Sequence, residues 1–81
     1  MELDVRGTPA WQIKPYLVEL GGTEQPDGSF AGPGWQATLE EGEYLAMRTL
    51  FPRVIIRLAG EPEVLAGLAA RLRIRVFRVG G

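Results

Sequence analysis

The sequence predicts an α+β domain: a curved antiparallel sheet with two helices packed on one face. Three observations carry this. The opening "MELDVR" alternates strictly and then runs straight into a helix signal, with no second strand between. A meander of alternating segments fills the middle of the chain. After it, "GEPEVLAGLAARL" changes to the period of an amphipathic helix. The 81 residues suffice for one domain with one modest core, so residues 1–81 are read as a single unit.

In "MELDVR", Met1, Leu3 and Val5 face one way and Glu2, Asp4 and Arg6 the other, the pattern of a half-buried strand. "GTP" starts a helix, with Thr8 at the N-cap and Pro9 at the first helical position. Ile13, Tyr16, Leu17 and Leu20 share its apolar face, and Gly21-Gly22 supplies the stop. Pro15 interrupts this segment, because proline removes a helix hydrogen bond and clashes with the preceding turn; a kink or a second helix start is expected there. "TEQPDGS" reads as a polar turn, "SFA" as a short strand and "GPG" as another turn.

In "WQATLE", Trp35, Ala37 and Leu39 share a face. "EGE" is read as the turn of a hairpin leading to "YLAMRTLF", where Leu45, Met47 and Phe51 lie together. Pro52 predicts a strand end or bulge. "RVIIRLA" turns Val54, Ile56 and Leu58 inward and Arg53 and Arg57 outward. The second helix begins at Pro62, with Glu61 and Glu63 at the positive end of its dipole and Val64, Leu65, Leu68, Ala69 and Leu72 as its apolar stripe. The alternation in "RLRIRV", with Leu72, Ile74 and Val76 against Arg71, Arg73 and Arg75, then predicts a last strand.

Composition narrows the function. The chain has no cysteine, so disulfides and thiolate chemistry are out. It has no histidine, which removes the commonest general base and metal ligand. Ser29 is the only serine and has no histidine to activate it. Glu40, Glu41 and Glu43 flank the expected turn and read as a solvated acidic loop rather than a cation site. The expectation is therefore a non-enzymatic protein with no cofactor and no metal. "GGTEQPDG" and "AGPGW" match neither phosphate-loop pattern, so their glycines are read as turns. No apolar run approaches the roughly 20 residues of a membrane span, and no secretory signal is evident, which predicts a cytoplasmic protein. Eight arginines against one lysine, with no asparagine, suit a thermophilic source.

Charge is unevenly placed. Residues 1–47 hold eight acids and two bases, whereas residues 48–81 hold seven arginines and two acids. The favoured reading is attraction between the halves. The sharper one is an anion or partner face made of Arg53, Arg57, Arg71, Arg73 and Arg75. Nucleic acid fits less well, because Phe77 is the only aromatic beside the arginine row and stacking surfaces interleave several rings. Open sheet edges favour a homodimer or another protein partner. A Gly80-Gly81 ending raises a further alternative, a ubiquitin-like sulfur carrier activated at its terminal carboxylate. That fold begins with a β-hairpin and then a helix, an order this chain does not follow.

"WQIKPYLVELGGT", a Gly-rich turn, the strand meander, "FPRVIIRLAGEPE" and the Gly-rich end together resemble the C-terminal domain of MoaD-related proteins from thermophilic bacteria. The resemblance covers residues 8–81, and its most distinctive motif is the helix ending in Leu20-Gly21-Gly22-Thr23. It implies a fold similar to the TATA-binding-protein class and a link to molybdenum-cofactor or sulfur-transfer pathways. It carries no established activity and no functional residues. Pro15 and the strand-like "RIRVFRV" depart from the family pattern, which closes with a helix. The carrier domain of these proteins is not found in this sequence, so its thiocarboxylate role is not inherited.

Overall fold

The computed structural model describes residues 1–77. Five strands and two helices follow one another as β1 (Glu2–Arg6), α1 (Ala10–Glu19), β2 (Thr23–Glu24), β3 (Phe30–Gly32), β4 (Trp35–Ala46), β5 (Thr49–Gly60) and α2 (Pro62–Val76). The strands form one antiparallel sheet in the order β1-β5-β4-β3-β2. The α+β class is as the sequence predicts. Gly80 and Gly81 of the alternative carrier tail lie outside the described residues.

Strand alternation explains why both helices cover the same face. Leu3 is paired with Ile56 and Ile56 with Leu39; Val5 is paired with Val54, and Leu58 with Ala37. Directly paired residues project to one side of a sheet. These side chains meet Ile13 and Leu17 of α1 and Leu65, Leu68, Ala69 and Leu72 of α2 in one core. The core holds no buried polar or charged residue among those described.

Four local expectations are corrected, besides the start of α1, where Pro9 rather than Thr8 takes the N-cap position and Ala10 is the first helical residue. The stretch "RLRIRV" is helical, not a strand, and α2 runs to Val76. Its apolar stripe continues at helical spacing from Leu65 through Leu68, Ala69 and Leu72 to Val76, while Ile74 is exposed. Arginine is also a good helix former, so the alternation with Arg71, Arg73 and Arg75 does not compete. No second helix starts at Pro15, because α1 is one element with Pro15 inside it. Pro15 sits on the exposed side, so the Trp11 carbonyl it leaves without an intrahelical donor faces water rather than the core.

The third correction is the hairpin. No turn occurs at "EGE"; β4 continues to Ala46 and reverses at Met47-Arg48. Leu45 and Phe51 consequently point to opposite faces, with Phe51 stacked on Tyr44. The fourth is Pro52, which lies inside β5 in regular register opposite Glu43. Its carbonyl accepts from the Gly7 N–H at 2.8 Å, on the side away from β4. The missing N–H of Pro52 therefore faces the side where β1 has already ended, and no bond in the β4–β5 ladder is lost. Within the predicted polar turn, Thr23–Glu24 also forms a short strand against Phe30–Ala31.

Candidate functional site

The long β4–β5 hairpin gives the molecule its two distinctive surfaces. Near the base of the hairpin, the sheet face away from the helices carries a charged ladder. Arg57 donates to Glu2 at 2.9 Å and to Glu40 at 2.7 Å. Arg53 binds Asp4 through two bonds of 2.9 Å, and Arg6 reaches the same carboxylate at 3.3 Å. The Arg6 guanidinium lies 5.5 Å from the Tyr44 ring centroid, extending the ladder into the Tyr44–Phe51 stack. Acids from β1 and β4 thus flank arginines from β5, which is the attraction between chain halves that the charge distribution favoured.

The five arginines of the candidate anion or partner face do not come together. Arg53 and Arg57 lie on the outer sheet face, already bound to carboxylates. Arg71, Arg73 and Arg75 belong to α2, which covers the other face. Arg75 donates to Glu19 of α1 at 3.4 Å, across an open cleft of about 1000 Å³ between the end of α2 and α1. Gln12, Tyr16 and Ile74 line the same cleft, and it holds no buried ionisable group. Among the described residues no cluster of carboxylates is arranged to hold a metal ion.

The charged ladder sets an acid limit on stability. Hydrogen bonding to Arg53 holds the Asp4 carboxyl below its usual pKa, and Arg57 does the same for Glu40. Asp27 is lowered by bonds from the Ser29 hydroxyl and N–H. A carboxylate lowered on folding contributes stability that is fully present above its unfolded pKa and is lost as pH falls through the folded one. The unfolded values lie near pH 4. Melting temperature should therefore be flat above about pH 5 and fall steadily below pH 4. The Asp4→Asn/Glu40→Gln variant should melt lower at pH 6 and show a shallower acid slope. Superimposable profiles for the two proteins would remove the ladder as the cause.

Beyond the ladder, the hairpin outruns the rest of the sheet. Strand β1 ends at the Arg6–Arg53 pair and β3 at the Ala37 pair, so, among the described residues, residues 44–51 have no strand neighbour but each other. The tip, Met47-Arg48, has φ values of 52° and 63°, both in the left-handed region. A two-residue turn of this kind normally uses Asn-Gly, because side chains with more bulk are strained there. Met47 is 94% exposed, and Leu45 and Leu50 are exposed on one side of the hairpin below it. Sequence reasoning missed this tip because Met-Arg carries no turn signal, whereas the glycine of "EGE" does. The usable signal is on the β5 side, where Leu50, Val54, Ile56 and Leu58 keep one strand period across Pro52 and so carry the strand back toward Arg48.

A family model described as archaeal MoaD-like protein matches residues 1–81. No curated protein matches the chain.

Proposed function

The chain belongs to the archaeal MoaD-like family, and from that premise we propose that it is a non-enzymatic protein-binding module of molybdenum-cofactor or sulfur-transfer chemistry. The observation that carries this reading is the hairpin tip. Two non-glycine residues are held in the left-handed region, and the strained turn presents Met47 with Leu45 and Leu50 to solvent. Such strain costs on the order of 1 kcal/mol or more per residue and persists where a surface has work to do. Methionine suits a contact surface, being flexible and polarisable. The charged ladder is internally satisfied, which leaves the apolar tip as the better-argued contact.

Replacing Met47-Arg48 by Asn-Gly tests the reading, because it separates stability from binding. The variant should be more stable by about 1–2 kcal/mol in urea unfolding, since the turn then has its preferred residues. Its affinity for the adenylating and sulfur-carrier proteins of the same organism, measured by calorimetry, should fall at least tenfold. Equal affinity of variant and parent for every one of these proteins would overturn the proposal, as would no binding by the parent. The carrier alternative is distinguished by intact mass after incubation with an adenylating enzyme, ATP and a sulfur donor. Exchange of one oxygen for sulfur at Gly81 would favour the carrier over the module.

A further inference from the structure

We propose that the free edge of β4 takes up an extended, basic segment of a partner protein as an added strand. The inference rests on reading the chain as a binding module, and it names the second surface of that module.

The edge follows from the register. Strand β3 pairs with β4 only through Trp35–Ala37, so Thr38–Ala46 has β5 as its sole strand neighbour among the described residues. The side on which each residue's main-chain groups point is also fixed. Pro52 directs its carbonyl toward β1, as the bond from Gly7 shows. In a strand the N–H and C=O of one residue share a side and alternate along the chain. Arg53 and Phe51 therefore bond to β4, through Gly42 and Tyr44. That leaves the N–H and C=O of Leu39, Glu41, Glu43 and Leu45 aimed at the open edge. No loop donates to or accepts from them among the described residues.

An edge this long is a template for strand addition unless something blocks it. No proline or bulge interrupts it. The two outermost strands are short: β2 is only Thr23–Glu24, and β1 is Glu2–Arg6, with its Glu2 and Asp4 held by Arg57 and Arg53.

Charge identifies the occupant. The side chains of Leu39, Glu41, Glu43 and Leu45 share one face of β4, so the edge reads apolar, acidic, acidic, apolar. Glu41 lies opposite Val54 and Glu43 opposite Pro52, neither of which can neutralise it. Neither glutamate has an ion-pair partner among the described residues. A second copy pairing antiparallel about Gly42 would set Glu41 against Glu43 twice, and like charges directly opposite destabilise a strand pair. A segment with apolar residues at the ends and lysine or arginine at the two alternate positions between them matches every site on this face.

The probe is the labelled heptapeptide Leu-Thr-Lys-Thr-Lys-Thr-Leu, whose side-chain order reads the same in both directions. It should raise fluorescence anisotropy with the parent protein and slow hydrogen exchange at Glu41 and Glu43. The counterpart with glutamate for both lysines should bind at least tenfold more weakly. Glu41→Lys/Glu43→Lys should reverse that preference; both residues are exposed and unpaired, so the fold is not at risk. A version of the heptapeptide N-methylated at alternate residues should lose at least tenfold in affinity. Equal binding of the methylated peptide, an unreversed charge preference, or a parent dimer with its β4 amides protected would each overturn the proposal. If full-length partners bind in a tip-dependent way while the peptide does not, the edge proposal fails and the module reading stands.

Discussion

Trp35→Ala is expected to remove about 3–5 kcal/mol of stability, the range for deleting a large aromatic side chain from a packed interior. A domain of this length has a total of roughly 4–12 kcal/mol, so the loss is a large share of what holds the fold. Trp35 is 5% exposed and opens β4, opposite Gly32 on β3 and Gly60 on β5. Its indole does not simply fill a hole. The ring spreads over Gly32 and reaches Gly22 behind the end of α1, so it packs β3, the α1–β2 junction and the helix layer together. Urea unfolding is the measurement. A loss under about 1 kcal/mol would mean that the site collapses around alanine and that the indole is not the organising contact.

The same packing explains one of the clearest sequence signals. Gly21-Gly22 reads as a helix stop, and each glycine turns out to have its own reason. Gly21 follows the cap of α1 with φ 98°, the left-handed conformation that ends a helix. Gly22 has no such angle; it is glycine because a Cβ there would stand 2.7 Å from the Trp35 ring and 2.8 Å from the Leu17 carbonyl. The second reason depends on a residue thirteen positions away and is invisible to a reading that treats glycine as a turn marker.

What was legible divides along this line. Alternation within β1, the first part of β4 and the second part of β5 marks the correct faces, because each strand covers a dry core on one side only. Arg53 and Arg57 are correctly read as outward for the same reason. Where two periods compete, local pattern is not enough. "RLRIRV" fits a strand by alternation and a helix by the spacing of Leu65, Leu68, Leu72 and Val76, and continuity of the packed stripe decides for the helix. The hairpin failed for a different reason. "EGE" offers glycine and charge but lies mid-strand, while the real reversal uses residues that no propensity favours. That error mattered most, because it placed the turn where β4 runs on in continuous register with β5. It hid both surfaces on which the functional reading rests, the Met47-Arg48 tip and the free edge beside Glu41 and Glu43.

Gly32→Ala carries the second large effect, and its sign should depend on Trp35. A Cβ at position 32 would overlap the Cε2 and Cζ2 atoms of the indole. The ring is held between β3, Gly22 and the core, so it cannot swing clear without disturbing them. Overpacking of this kind costs about 1–3 kcal/mol. Gly32 has no left-handed φ among the glycines that do, so alanine is conformationally acceptable there. Glycine in a strand is otherwise the worse residue, by roughly 0.5–1 kcal/mol relative to alanine. In the Trp35→Ala background the obstructing ring is gone and only this backbone term remains. Gly32→Ala should then stabilise, turning a loss into a gain and giving a coupling of about 2 kcal/mol or more in the double-mutant cycle. Gly67→Ala is the control: its Cβ would meet nothing within 4 Å inside α2, and it should stabilise in both backgrounds. If Gly32→Ala destabilises equally with and without Trp35, the glycine answers to the backbone of the β3–β4 turn rather than to the indole.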